Sequence, residues 1–231
     1  MSTNLASLLR EGTTKSHSMA ENVSFVKSFL GGVVDKGSYR KLVANLYFIY
    51  EVMEEQIDNH KDNRFVNSIY FPELHRKSSL AKDLNYYYGK DWISKIEPSP
   101  ATIVYINRIR QISYSNPELL IAHSYTRYIG DLSGGQILKK IAKSAMSLPD
   151  NFGTAFYDFN LIDDEIEFKS VYRESLNKIS LTDNQVQQII SEANTAFNLN
   201  MKIFQELNSN LIKIMIMLLF SSINNFRKRL S

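Results

Sequence analysis

The residues with the clearest chemical potential lie at positions 125–136, where the sequence is YTRYIGDLSGGQ. Helical periodicity continues on both sides, yet three glycines stand in the middle: Gly130, Gly134 and Gly135. Each interior glycine costs a helix about 1 kcal/mol relative to alanine, so we predict a kink here. Glycine also leaves the backbone bare, which allows close approach of a flat or bulky group. Asp131 places one carboxylate inside this segment, with Arg127 one turn before it.

A second candidate for chemistry is the pair His17 and Glu21, which the predicted helix places one turn apart. An imidazole can ligate a metal while a neighbouring carboxylate accepts its second ring N–H. A solvated His–Glu pair on a helix surface is equally compatible with this spacing. No two of the four histidines have zinc-ligand spacing. We interpret His60 and His75 as loop or surface residues, and His123 as packed or hydrogen-bonded structure.

Lys169 and Arg173 form a third candidate, again one turn apart on a predicted helix. Two cations on one face can bind the carboxylates of a ligand through charge-assisted hydrogen bonds. An ordinary mixed-charge surface is the alternative, because Glu165, Glu167 and Glu174 are close neighbours.

The elements that must position these residues are predicted to be helices throughout. We predict helices over residues 4–30, 38–59 (after a Ser38 cap), 78–88 and 100–114, then the glycine-kinked helix from residue 116, then 163–177 and 183–225 (opened by a capping box at 182–185). No segment alternates convincingly enough to predict a strand. The expected architecture is an all-α, single-domain bundle with a ligand site between facing helices.

Composition limits the remaining possibilities. The 231 residues contain no linker-like stretch, which predicts one domain over 1–231 with a core at about 4–225 and a basic end at 226–231. The chain has no cysteine, which excludes disulfides and thiolate ligands. The net charge of +3 gives no support for nucleic acid binding. The apolar run 214–220 is too short to span a bilayer, so we predict a buried helix there and no stable membrane insertion.

The glycine segment resembles the distal helix of the heme oxygenases, and the resemblance extends over about residues 4–225. Residues 9–22 are similar to the family's proximal-ligand segment. Other similar blocks are LYFIY at 46–50 with Glu54-Glu55 after it, YFPEL at 70–74, FKSVYR at 168–173, and the stretch from Glu192 to Phe204. The resemblance is closest to the soluble cyanobacterial and plastid branch.

This resemblance implies that heme b, both substrate and cofactor, lies between a proximal helix and the glycine-kinked distal helix. It places His17 as the axial iron ligand, with Glu21 as the acceptor of its second ring N–H. The residues implied to bind at the propionate edge are Arg10, Tyr125, Lys169 and Arg173. Thr14 stands where many relatives carry lysine, which leaves the propionate contacts on that side open.

On the distal side, the resemblance implies that Asp131 anchors a water network that delivers a proton to bound oxygen. Gly130 and Gly134 would let backbone cover that oxygen. Arg127 and Tyr50 are expected in the same hydrogen-bond network. Three residues of the last helix are implied as pocket lining, although each is also compatible with plain core: Phe197, Asn200 and Phe204.

The implied reaction is cleavage of heme at the α-meso carbon to biliverdin IXα, carbon monoxide and ferrous iron. The implied reactants are O2 and electrons from reduced ferredoxin, which would dock on basic residues such as Arg10, Lys15, Lys139, Lys140 and Lys143. Biliverdin would feed phycobilin or phytochromobilin synthesis, with a bilin reductase downstream. The bias toward isoleucine, asparagine and lysine suggests an AT-rich genome, hence the plastid stroma, with the cyanobacterial cytoplasm as the other location. The helical pattern from Asn4 onward predicts no targeting peptide.

Two other functions remain open at this point. The first is a heme-binding carrier or sensor that has the fold without the catalysis. The second is another all-α enzyme, for example a thiamin-degrading one, which would need a nucleophile where this chain has no cysteine.

Overall fold

The computed structural model describes the backbone of residues 4–230 and the side chains of residues 4–207. Over these residues it is all-helical and forms a single domain, as predicted. The α-helices are α1 (Leu5–Glu21), α2 (Ser24–Leu30), α3 (Lys36–Asn59), α4 (Lys77–Tyr88), α5 (Pro100–Ser115), α6 (Leu120–Ser124), α7 (Gly130–Met146), α8 (Glu165–Asn177) and α9 (Asp183–Leu230). The predicted burial of residues 214–220 lies outside the described side chains.

Side-chain caps set where several helices begin. The Thr182 hydroxyl and the Gln185 side chain form the predicted capping box at the start of α9. The predicted Ser38 cap of α3 is wrong, because the Asp35 carboxylate accepts the Ser38 N–H at 2.8 Å and α3 begins two residues earlier. Asp164 caps α8 in the same way, and these backbone hydrogen bonds hold the pKa of its carboxyl below the usual value.

The predicted continuous helix over residues 4–30 is also wrong, because α1 ends at Glu21 and a separate helix, α2, begins at Ser24. The Asn22 side chain donates to the Ser18 carbonyl at 2.8 Å, and its backbone N–H closes the last turn of α1. Val23 is extended, with ψ 135°, before α2 starts. This break turns the short helix α2 toward α7 and α9, so its buried phenylalanines, Phe25 and Phe29, reach the site described below.

Helix α3 is the centre of the bundle and packs against α4, α5 and α9, while α1 lies along α9. The largest fully buried side chains are tyrosines: Tyr39, Tyr50, Tyr105, Tyr128 and Tyr172. Burying a phenol costs less when its hydroxyl has a hydrogen-bond partner, as the hydroxyls of Tyr50 and Tyr172 have with Asp131 and Ser124. Within the part of the chain that the structure describes, no helix is long and apolar enough to cross a membrane.

Candidate active site

The glycine-rich segment is built from three helical pieces in series. Between α6 and α7 the chain makes one π-helical turn, Tyr125–Ile129. The departure from α geometry therefore precedes the glycines, which lie in the regular helix α7. The predicted kink at the glycines is thus corrected to a π turn immediately before them. Such turns occur frequently at functional sites, but no residue type in the sequence marks them.

Two of the three glycines do face open space, as the sequence predicted. A Cβ built on Gly130 or on Gly134 would meet no heavy atom within 4 Å. Gly135 instead packs against Tyr157, whose ring carbon would lie 3.4 Å from such a Cβ. The first turn of α7 thus presents bare backbone on one side and a packed surface on the other.

Next to this bare backbone, four predicted residues meet in one hydrogen-bond network. The Tyr50 hydroxyl donates to the Asp131 carboxylate. The Arg127 guanidinium donates to Tyr50 at 3.0 Å and to the Asn200 side-chain oxygen at 2.8 Å. Its remaining nitrogen lies 3.5 Å from the Asp131 carboxylate. Asn200 is therefore a partner of Arg127 rather than a pocket-lining residue.

Burial controls the electrostatics of this network. The Asp131 side chain is only 12% exposed, and burial raises its pKa while Arg127 and Tyr50 oppose the shift. Burial likewise raises the pKa of Tyr50 well above the usual value, so the phenol is a hydrogen donor at neutral pH. Arg127 keeps its charge, because Tyr50 and Asp131 outweigh the effect of burial and raise its pKa. The network is thus a neutral donor and a fixed cation around one carboxyl group.

On the opposite wall, α1 presents His17. Its side chain is 59% exposed, and its Nδ1 lies 3.6 Å from a Glu21 oxygen. That distance is too long for the predicted hydrogen bond, so the two side chains lie side by side without one. The imidazole edge meets the Phe197 ring with centroids 5.8 Å apart.

A cavity of about 390 Å³ separates α1 from the π turn and is lined by predicted residues at its rim. Arg10, His17, Tyr125, Arg173 and Phe197 all line it, as does Thr14. Burial raises the pKa of the Tyr125 phenol, and Arg173 and Arg10 both lower it, which places two guanidinium charges close to one hydroxyl. This outer cavity therefore has a cationic edge suited to carboxylates.

Lys169 does not line this cavity, although the sequence predicted it together with Arg173. The two residues share a face of α8, but Lys169 lies one turn nearer the N-terminus of the helix. The second cation of the edge is instead Arg10 of α1.

A smaller cavity of about 180 Å³ adjoins the outer one at Thr126 and Gly130. Its walls are apolar and come from α2, α3, α7 and α9: Phe25, Val26, Phe29, Leu42, Leu46, Leu138 and Phe204. Phe204 stacks on Phe25 with an interplanar angle of 14°, which agrees with its predicted role as pocket lining. Asp131 and Arg127 also line this inner cavity.

Sequence reasoning missed the contribution of α2, because it treated α2 as part of the first helix. The available signal was the pair Phe25 and Phe29, spaced by one turn after Asn22. The two cavities together form a slot with cations at one end and apolar side chains at the other. A larger surface groove of about 680 Å³ lies elsewhere, beside Arg40 and Tyr88, and contains none of the predicted residues.

Behind the distal network, His123 is fully buried and hydrogen-bonded, as predicted. Its Nε2 lies 3.0 Å from the Glu192 carboxylate, which also accepts two hydrogen bonds from Arg108. Burial alone would raise the pKa of Glu192, but His123 and Arg108 outweigh it and lower that pKa to about 2. His123 is thus held in a buried structural hydrogen bond with Glu192.

Replacing Glu192 with glutamine should destabilise the protein by about 3 kcal/mol at pH 7, because Arg108 and His123 lose their anion. A carboxyl whose folded pKa is depressed stabilises the fold above its unfolded pKa, near 4.5, and the contribution is lost as pH falls toward 2. Urea unfolding at several pH values should therefore show the wild type and the variant converging below about pH 4. Glu97→Gln, at an exposed position, is the control. A constant difference across this range would contradict the assignment.

Comparison with known proteins agrees with this geometry. The family model for heme oxygenase matches residues 3–206. A heme oxygenase of the alga Porphyra purpurea is 63% identical over 226 residues, which cover 98% of this chain and 96% of that protein. Heme oxygenase 1 of the cyanobacterium Synechocystis is 56% identical over 99% of this chain and 95% of its own.

The fold matches as well as the sequence. The crystal structure of heme oxygenase-1 from Synechocystis in complex with heme superposes with a TM-score of 0.93 at 57% identity, covering 96% of this chain and all of that one. These high-identity relatives come from a red alga and a cyanobacterium, which confirms the predicted cyanobacterial and plastid branch. Since the family model and these relatives together account for nearly every residue, the chain belongs to the heme oxygenase family.

Proposed function

We propose that this protein binds heme and cleaves it at the α-meso carbon to biliverdin IXα, carbon monoxide and ferrous iron, using O2 and electrons from reduced ferredoxin. One observation carries the proposal: His17 lies on one wall of the slot, and the hydrogen-bond network of Asp131 lies at the other wall. The heme complex of the Synechocystis relative supports it.

The described residues fit a heme. The open space at Gly130 and Gly134 leaves room for a flat ring against backbone, and the apolar inner cavity suits its hydrocarbon edge. Arg10 and Arg173 would pair with the two propionates. His17 would ligate the iron through a ring nitrogen. Bound heme would supply both the iron that activates O2 and the ring that is oxidised.

The chain's own part in the reaction is to hold and move protons. Tyr50 and Arg127 hold the Asp131 carboxyl in one orientation beside Gly130. Because burial raises its pKa, this carboxyl exchanges a proton more readily near neutral pH than a surface aspartate does. Water held by Asp131 would pass that proton to the oxygen side of the slot. The bare backbone of Gly130 and Gly134 would let α7 lie close to that oxygen.

One experiment tests the proposal directly. Hemin is added to the protein, then a reductant under air, and the absorption spectrum is followed. A heme spectrum that decays into a bilin spectrum is the expected result. Heme binding without a bilin product would indicate a carrier or sensor, and failure to bind hemin would contradict the proposal altogether.

Replacing Arg173 with glutamine should change which meso carbon is cut. Without this cation, heme can rotate in its plane while His17 still holds the iron, so isomers other than biliverdin IXα should appear. Chromatography of the bilin products measures this. Lys169→Gln is the matched control, since Lys169 shares the helix face without lining the cavity, and it should give the α isomer alone. A pure α product from Arg173→Gln would mean that the apolar walls orient the ring.

The proposed ferredoxin surface is the rim of the outer cavity together with the neighbouring exposed Lys15. Lys139 and Lys143 are less suitable than predicted, because they pair with Asp158 and Asp150. Among the described side chains, no ion pair involves Arg10, Lys15 or Arg173. Arg10 and Arg173 would be paired with the propionates once heme is bound, so among these three Lys15 is the charge that remains available to an acidic partner. Biliverdin would then pass to a bilin reductase in a plastid stroma or a cyanobacterial cytoplasm.

Ferredoxin-driven turnover should fall by about tenfold between low and physiological salt, because screening shortens the reach of surface charge to about 8 Å. Turnover with a small neutral reductant should change little. Lys15→Glu should raise the apparent KM for ferredoxin without altering hemin binding, while Lys90→Glu, at an exposed turn after α4, serves as the control. An equal salt response for both reductants would count against docking at the rim.

A further inference from the structure

Helix α1 rests on one face of α9 through residues spaced by about one helical turn. Ile190 fills the space beside Gly12: a Cβ built on Gly12 would lie 2.5 Å from the Ile190 Cγ2. Two turns further along α9, the Phe197 ring meets the His17 imidazole edge-on, with planes at 72°. The same face of α9 thus contacts α1 at two places, at His17 and at Gly12, which lies more than one turn before His17.

Asn194 lies between these two contacts, and both its side-chain oxygen and its side-chain nitrogen form hydrogen bonds. Its Nδ2 donates to the Gly12 carbonyl at 3.0 Å and to the Ile190 carbonyl at 2.9 Å. Its Oδ1 accepts the Ser16 hydroxyl at 2.5 Å. The reversed amide would set an oxygen against two carbonyl oxygens, so this orientation is determined by the hydrogen-bond network.

The imidazole of His17 has little of its own to orient it. The ring is largely exposed, and among the described residues its polar contact is the 3.6 Å approach of Glu21. Its direction must therefore come mainly from the backbone of α1. Gly12 and Ser16, the two groups that Asn194 holds, lie within about one and a half turns of His17.

We infer that Asn194 is a positioning residue for the proximal ligand. Together with the close approach of Gly12 and Ile190, it sets where α1 lies on α9 and hence the direction of the His17 imidazole. This inference rests on the proposed function, because it takes His17 as the iron ligand.

Asn194→Leu tests the inference, since leucine keeps the volume and removes all three hydrogen bonds. Resonance Raman spectra of the reduced hemin complex should show the iron–histidine stretching band shifted or broadened. The dissociation constant for hemin should rise about tenfold. Thr195→Val is the matched control, because the Thr195 hydroxyl bonds only the Ser191 carbonyl of its own helix, and it should leave both quantities at their wild-type values.

Gly12→Ala tests the same contact from the other helix. The added methyl group collides with Ile190, so α1 should shift and the stretching band should move. Ile190→Ala in the same chain removes the collision and should restore the band. Two substitutions that merely destabilised the fold would add their effects instead of cancelling them.

The possible outcomes separate the two proposals. A wild-type complex without an iron–histidine band contradicts the proposed function. A wild-type band that neither Asn194→Leu nor Gly12→Ala alters overturns the positioning role and leaves the proposed function standing. Should Asn194→Leu fail to fold, the Gly12→Ala band and its restoration by Ile190→Ala still decide the question.

Discussion

Replacing His17 with alanine should lower biliverdin formation by at least about 10²-fold, because hemin would lose the bond that holds its iron in place. The fold should survive, since the imidazole is largely exposed and no hydrogen bond to it is found among the described residues. Hemin titration should show loss of the imidazole-ligated spectrum, and thermal unfolding without hemin should match the wild type.

Two controls sharpen this result. Free imidazole should restore part of the spectrum and part of the turnover by entering the space that the side chain left. His60→Ala should behave as wild type, because His60 lies at the end of α3 and lines neither cavity. His123 cannot substitute for the ligand, since it is buried against Glu192. A His17→Ala protein with normal spectrum and turnover would refute the assignment.

Asp131→Ala should separate binding from chemistry. Hemin should still bind with its His17 spectrum, because Asp131 belongs to the opposite wall. Ring cleavage should fall by about 10²–10⁴-fold, the usual range for a lost proton-transfer group. Added peroxide should then be spent on oxidising a small phenol such as guaiacol, which an absorbance assay detects.

Asp131→Asn is the shape-matched companion, since it keeps the contact to Tyr50 and removes the charge. It should resemble the alanine variant in turnover. Asp150→Asn, at an exposed residue paired with Lys143, should retain full activity. Wild-type biliverdin rates in either Asp131 variant would exclude the proposed proton role.

Sequence reasoning correctly placed Arg127 beside Asp131, because both lie on one helix. Arg127 and Asp131 are one turn apart, and the structure brings them into contact. The partnership with Tyr50, 81 positions before Asp131, followed only from the family resemblance, because no local pattern encodes it.

It failed where tertiary docking decides the outcome. Lys169 and Arg173 share a helix face, but where α8 packs against α1 determines which of them reaches the cavity. The π turn at Tyr125–Ile129 likewise could not be predicted, since its residue types differ little from those of ordinary helix. The break at Asn22 was locally encoded, but its consequence, the entry of α2 into the inner cavity, was not.

The two ends of α7 are held very differently. Toward its C-terminus, Lys139 and Lys143 tie the helix to Asp158 and Asp150 of the loop that follows. Toward its N-terminus, Gly130 and Gly134 face empty space. The far end of α7 is thus held by lysine–aspartate ion pairs, whereas its first turn is held by the buried hydrogen bond from Tyr50 to Asp131 and leaves one side of its backbone uncovered. Any movement that widened the space beside Gly130 would therefore carry the Asp131 carboxyl with it, because both residues belong to the same turn of α7.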